Sequence, residues 1–379
     1  MGKKTQPSKL GERALKNRQS RSQSKIDDFQ QCQWISQTFS EAAALHGANR
    51  LQEAESLYHS ILSIDPKHYD TLSMLGALFS QIGRQEEGVK LIEQSLAINP
   101  HQPTALNNLG VVFQDLVQYE KALYCYNRAL EVQPNNAKYY DNRGKIRQVL
   151  LDVEGALDDF NKALSLDSTY ADAYNNRGSA FCELQRYKEA LCDFEQAIAL
   201  NAQYVSAYSN RGVVLCKLQR YEEALCDFEQ AIALNAQYAH AYSNRGIVLC
   251  ELQRYEEALC DFEQAIALNA QYANAYWNKA LLKLLLGDYE EGWELHEWRW
   301  KEVQKEHASH FSQPLWLGQE PLAGKTILLH AEQGLGDTIQ FCRYVPKVEA
   351  LGAKVTFLIP EPLSEIISTL KGDFQGCLT

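Results

Sequence analysis

The sequence predicts a mostly α-helical solenoid followed by a small α/β segment, and three observations carry that prediction. A motif recurs at a strict period of 34 residues, apolar residues inside each copy have helical spacing, and the composition changes near residue 276. The string ALCDFEQAIALNAQY closes the copies that end at Tyr204, Tyr238 and Tyr272, and copy boundaries fall at 35, 69, 103, 137, 171, 205, 239 and 273 without an insertion. Units of this kind bury their apolar faces only against their neighbours, so eight in register predict a long concave surface rather than a pocket. Such a surface suits polypeptide ligands.

Each unit reads as two antiparallel helices. In the copy 171–204, Tyr174, Gly178 and Phe181 are spaced i, i+4, i+7, and Ala190, Phe194 and Ala197 repeat that spacing further on. Both stripes have helical period. The polar run Glu183, Leu184, Gln185, Arg186 is short enough only for the bend of a helix hairpin. Gly178 is expected to face Ala190 across the hairpin, as Gly110 would face Ala122, Gly144 Ala156, Gly212 Ala224 and Gly246 Ala258. A helical glycine costs roughly 0.5–1 kcal/mol, so its recurrence implies a packing return. The second helices are expected to stop at Asn201, Asn235 and Asn269 in the left-handed conformation. Pro66, Pro100 and Pro134 close the first three units instead.

Trp or Tyr, Leu, Gly, Tyr or Phe, then Ala, Phe, Ala and Pro at these offsets resembles the tetratricopeptide pattern over about 270 residues. The resemblance implies a right-handed superhelix. Units four to seven depart from it by replacing the closing proline with Ser168, Ala202, Ala236 and Ala270; the first unit has Ala42 for glycine, and the eighth has Ala280 for glycine and Gly292 for alanine.

Composition bounds the rest. No run approaches the 18 apolar residues that would span a membrane. Of ten cysteines, Cys182, Cys216 and Cys250 are one position copied and Cys192, Cys226 and Cys260 another; no CxxC occurs, so small half-buried thiols in a reducing cytoplasm are expected, and no metal site. Residues 1–25 carry eight Lys or Arg against Glu12, a charge of +7 that leaves −18 on the remainder of a chain with net charge −11. Residues 1–34 are read as a disordered basic tail that could touch RNA or an anionic surface, while the acidic remainder argues against extended nucleic-acid binding.

The candidate binding face follows from helix geometry. The residue two places after Tyr174 points away from the hairpin partner. It is Asn176, with Asn108, Asn142, Asn210, Asn244 and Asn278 at equivalent places. Amides in such a row can pair with the main chain of an extended peptide regardless of its sequence. The row resembles the asparagine ladder inside O-linked N-acetylglucosamine transferase solenoids. Around it the near-identical units vary: Asp172, Ser179 and Glu183, then Ser206, Val213 and Lys217, then His240, Ile247 and Glu251. The asparagine of a chaperone-type carboxylate clamp is replaced by Ser179, Val213 and Ile247, against a co-chaperone role.

Five of six tryptophans (Trp277, Trp293, Trp298, Trp300, Trp316) lie in the last hundred or so positions. GDYEEGWELHEWRW, 287–300, is expected to be a last helix that caps the solenoid. Beyond residues 35–306 the segment 307–379 reads as a linker and a β–α–β unit: strand TILLHA at 326–331, glycine turn EQGLGD, an amphipathic helix through Ile339, Phe341, Tyr344 and Val345, and strand KVTFLIP. Ile339 stands where a dinucleotide fingerprint needs its third glycine. LLHAEQGLGDTIQFCRY resembles the start of the GT-B glycosyltransferase domain fused to bacterial tetratricopeptide arrays, an incomplete Rossmann-like half. That resemblance implies Asp337 as a candidate catalytic base for an acceptor hydroxyl, with Gly334 and Gly336 letting the backbone approach the acceptor. A carboxylate at a helix start is equally an ordinary cap.

The 66 residues from Pro314 to Thr379 fall short of two such halves at roughly 100–200 residues each, so a nucleotide-sugar donor would bind only in a complete domain, and this chain alone is not expected to transfer sugar. The expected function is a cytoplasmic protein-interaction scaffold without a cofactor, the alternative a fragment of a tetratricopeptide-guided glycosyltransferase. Unpaired strand edges make self-association through 314–379 a further expectation.

Overall fold

The computed structural model describes residues 29–301, 313–318, 320–331, 334–370 and 375–378. The basic tail lies outside them. The chain divides into two compact bodies, 1–236 and 237–379.

The first body is a row of helical hairpins. A helix over 29–47 (α1) is followed by α2 (Leu51–Ile64), α3 (Tyr69–Gln81), α4 (Gln85–Ile98), α5 (Pro103–Asp115), α6 (Tyr119–Val132), α7 (Ala137–Val149), α8 (Val153–Leu166), α9 (Ala171–Glu183), α10 (Tyr187–Leu200), α11 (Val205–Lys217) and α12 (Tyr221–Leu234). From α3 on, the first helix of each pair starts at the position where the 34-residue repeat starts. From α3 to α9 each first helix packs against its hairpin partner and against the first helix of the next pair, and α11 packs against α12. The first helix α1 is described from residue 29, ahead of the repeat boundary at 35.

The recurrent glycines have a different partner from the one the hairpin reading gives. A Cβ on Gly178 would lie 2.8 Å from the Phe194 ring, and on Gly144 and Gly212 it would meet Phe160 and Phe228 at 2.7 and 2.8 Å. The glycine opens a slot for an aromatic ring one turn beyond Ala190, and that ring is fully buried in each pair. Ring burial is the return for the helical glycine, worth about 2–3 kcal/mol against its cost of about 1.

Left-handed residues also occur elsewhere than expected. Asn201 caps α10 in an extended conformation (φ −141°), and its side chain accepts from the Gln203 N–H at 3.0 Å. Asp65, Asn99 and Asp167 make the same turn with Lys67, His101 and Thr169. An Asx side chain closing on the backbone two residues later ends the helix without a left-handed residue. The positive φ lies in the hairpin bend, at Asn49, Gly83, Val117, Leu151, Gln185 and Gln219. Val117 and Leu151 hold that conformation with bulky side chains at a cost of about 1–2 kcal/mol each.

A buried ion pair locks the later hairpins. Arg143 holds Asp159 through two bonds of 2.9 and 2.6 Å, and Arg177 and Arg211 hold Asp193 and Asp227 likewise. Arg143 and Arg177 also donate to Asn127 and Asn161 of the preceding second helix at 2.8 and 2.7 Å. The bidentate fork satisfies carboxylates that are almost wholly shielded from water, and its hydrogen bonds raise the Arg177 pKa.

The second body begins with two hairpins, α13 (Ala239–Glu251) with α14 (Tyr255–Leu268), and α15 (Ala273–Leu285) with α16 (Tyr289–His296). The predicted last helix ends at His296 and continues as a 3₁₀ turn over Glu297–Trp300. That turn closes on α15: Trp298 stacks on Tyr276 with centroids 3.7 Å apart. Trp293, in contrast, is half-exposed.

The remaining elements are β1 (Thr326–His330), α17 (Leu335–Phe341), α18 (Val345–Glu349), β2 (Lys354–Ile359), α19 (Ser364–Ile367) and β3 (Gln375–Leu378). They form a three-stranded parallel sheet in the order β1-β2-β3, with Ile327 opposite Val355 and Leu329 opposite Phe357. Its core gathers Val355, Phe357 and Ile359 with Cys342, Val345, Leu363 and Ile367. Both crossovers therefore pack on one face, and Leu328, on the other, is exposed. The predicted amphipathic stripe is broken: Val345 is buried, whereas Ile339, Phe341 and Tyr344 are exposed because the helix ends at Phe341 and resumes at Val345.

Candidate functional site

Residues spaced i, i+4, i+7, i+11 lie on one helix face, and on each first helix from α5 on that stripe contains the predicted asparagine. It reads Lys138, Asn142, Lys145, Val149 on α7, Asp172, Asn176, Ser179, Glu183 on α9, and Ser206, Asn210, Val213, Lys217 on α11. On α13 of the second body it reads His240, Asn244, Ile247, Glu251.

The asparagines do not simply face water. Asn142 is only 5% exposed, and Asn108, Asn176, Asn210, Asn244 and Asn278 are half-buried. In the first body three of the amides are tied to the preceding unit: Asn142 Nδ2 donates to Asn107 Oδ1 at 2.8 Å, Asn176 to Asp141 at 2.8 Å and Asn210 to Asn175 at 3.0 Å. Sequence reasoning missed these acceptors. Their signal was visible, since the residue before each rung is small or polar from the third unit to the seventh: Asn107, Asp141, Asn175, Ser209, Ser243. One N–H of a tethered amide is committed to the fold, and the remaining N–H and the carbonyl oxygen are what such a rung can present.

Asp141 stands out in that series as the one carboxylate. Burial raises its pKa, opposed by Lys145 at 3.4 Å and by the bond from Asn176. Since a carboxylate only accepts, Asn176 turns an N–H toward Asp141 and its Oδ1 away. Tyr170 approaches the same carboxylate at 3.4 Å, and Tyr204 bonds to Asp172; burial, and then that bond, push the Tyr204 phenol up. In the second body Tyr272 and His240 Nδ1 are 2.8 Å apart. The tyrosine closing a unit thus meets the first, variable residue of the stripe.

The predicted acceptor loop is arranged differently from its sequence reading. Gly334 has φ +50°, a conformation that favours glycine, and it caps α17. Gly336 and Asp337 are not in the turn but in the first turn of the helix, where Asp337 is exposed and its Oδ2 lies 3.5 Å from where a Gly334 Cβ would stand. No group of three or more metal-ligating side chains occurs among the described residues. No disulfide occurs among the described residues, and burial pushes Cys182 and Cys250 up to about 11. No helix among the described residues is long and apolar enough to cross a membrane.

Models of the tetratricopeptide repeat match residues 103–136 and 203–271, and a further TPR repeat model matches 178–219. The solved APC/C hetero-tetramer Cut9-Hcn1 is 16% identical over 64% of this chain, with a TM-score of 0.59; the match spans 48% of that chain. A tetratricopeptide repeat protein from Parabacteroides merdae ATCC 43184 is 21% identical over 70% of this chain and 98% of its own, with a TM-score of 0.52. At these identities the likeness speaks for the fold. No curated protein matches the chain. Hairpins of 13 and 14 residues at a 34-residue period, matched by these models over residues 103–136 and 178–271, are tetratricopeptide repeats.

Proposed function

We propose that this protein is an interaction scaffold that holds extended polypeptides along the faces of its first helices, through the row of Asn108, Asn142, Asn176, Asn210, Asn244 and Asn278. One observation carries the reading: units 171–204 and 205–238 differ at seven positions on the first helix but at one on the second, Lys188 against Glu222, while the asparagine stays. A surface whose scaffold is copied and whose side chains diverge is where ligand choice resides. Repeats that stack in one dimension present such a surface without a pocket. The test is an array of unstructured peptides probed with the full chain. Binding that falls when Asn176 and Asn210 are replaced by Ala supports the reading; binding that is unchanged, or no binding at all, removes it.

A second reading, a fragment of a glycosyltransferase guided by the repeats, is favoured by the parallel β–α–β order and by Gly334, which would place Asp337 beside an acceptor. Hydrolysis of, or transfer from, a nucleotide sugar by the purified chain would establish it. The exposed sheet face and the edge of β1 that pairs with no strand among the described residues support self-association through 314–379; a shift from dimer to monomer on cutting after Glu306 would test that. A cytoplasmic location agrees with cysteines that form no disulfide among the described residues.

A further inference from the structure

The stripes of α7, α9 and α11 alternate in charge. Lys138 and Lys145 lie on α7, Asp172 and Glu183 on α9, and Lys217 on α11. Lys138, Asp172, Glu183 and Lys217 are exposed, and among the described residues no ion pair joins one of them to another. Asp172 is instead held by the Tyr204 hydroxyl and Glu183 by the Gln148 amide at 2.6 Å, so both carboxylates are oriented.

Adjacent first helices pack directly, α7 on α9 and α9 on α11. Their axes are then about 8–10 Å apart, a distance that an extended polyproline-II chain covers in roughly three residues, which also returns residues i and i+3 to the same face. The asparagine is four residues from one end of its stripe and seven from the other, so a chain running over the rungs passes about 6 Å from the near end and about 10 Å from the far end along the helix axis. These distances straddle the Debye length of about 8 Å at physiological salt, so the field of each stripe reaches the chain and weakens as salt rises.

We infer that the first body selects an extended polypeptide bearing an acidic, a basic and an acidic side chain at three-residue intervals, set over α7, α9 and α11 in turn. The pattern reads the same from either end, so it holds for either chain direction. Asn142, Asn176 and Asn210 contact the main chain between these side chains. The copies differ where this requires: α9 carries Asp172, Ser179 and Glu183, and α11 carries Ser206, Val213 and Lys217, on hairpins otherwise nearly identical.

The inference rests on the reading of this face as a polypeptide-binding surface, and its test separates the two. Three labelled peptides are titrated with the full chain by fluorescence anisotropy at low and at physiological salt. The first is acid-x-x-base-x-x-acid, the second has every charge reversed, and the third has the composition of the first with its charges side by side. The first should bind about tenfold tighter than either other, the preference shrinking as salt rises. Asp172→Ser with Glu183→Lys gives α9 the residues α11 already carries, so it should fold with unchanged circular dichroism. It should reduce the preference to about twofold or less. Equal binding of the three peptides, or a preference that the double variant leaves intact, overturns the inference while the scaffold reading stands. If none of them binds, and uncharged peptides do not either, both fall.

Discussion

The third and fourth hairpins fill the same slot with opposite chemistry. In α5–α6 the two facing positions are Leu109 and Cys125, both buried in one apolar cluster. In α7–α8 they are Arg143 and Asp159, joined by a two-pronged ion pair. The second hairpin, with Leu75 and Leu91, follows the apolar solution, and the fifth and sixth follow the ionic one. The slot therefore accepts a complete pair of either kind. Burial of a charge is tolerated only with its partner, since the desolvation penalty of each ion is several kcal/mol.

The largest expected effect breaks that pairing in one place. Asp193→Ala leaves Arg177 without its carboxylate and should destabilise the folded chain by about 3–5 kcal/mol in urea unfolding, whereas Arg177→Leu with Asp193→Cys, copying α5–α6, should cost no more than about 1 kcal/mol. Equal costs for the single and double variants would mean that the two hairpins are not alternative solutions of one slot.

Next in size is the glycine slot. Gly178→Ala places a methyl group 2.8 Å from the Phe194 ring. A loss of about 1–3 kcal/mol is expected despite alanine's better helix propensity. Gly336→Ala, with no atom within 4 Å of its Cβ, should cost nothing by the same urea unfolding.

Asp141 and Asn175 offer a finer comparison, because each accepts the same bond from the next rung. Burial raises the Asp141 pKa in the fold, so the folded state holds that proton more tightly than the unfolded chain does. The ionised carboxylate thus costs stability once the pH exceeds its folded value, and the cost vanishes below the unfolded value near the ordinary 3.8. Asp141→Asn should stabilise the chain at pH 7 by about 1 kcal/mol, with the gain fading as the solution is acidified. A gain independent of pH would assign the effect to packing instead.

The smallest effect concerns the hairpin bends. Gly83 and Leu151 occupy the same turn position with φ of 85° and 65°. Leu151→Gly should raise stability by up to about 1 kcal/mol, because the left-handed conformation is strained for leucine and its side chain is exposed. Gln185→Gly, starting from a less bulky chain, should gain less.

The 34-residue period, the first-helix starts from Tyr69 on and the two principal strands were legible in the sequence alone, because helical and strand periodicity and repeat spacing are properties of neighbouring residues. Gly178 was visibly a packing device on the same ground. That its partner is Phe194 and that Asn176 leans on Asp141 were decided by tertiary structure, whereas the Asx turn at Asn201 is a local choice between two ways of ending a helix. The first two depend on where a side chain one hairpin or one unit away comes to rest, and residues 16 or 35 positions apart meet only after the helices have packed. The same holds for the sheet: its strands could be read from TILLHA and KVTFLI, but which of its faces is covered was settled by the crossovers, whose helix breaks at Phe341 and sends Val345 inward while Ile339 and Tyr344 remain in water.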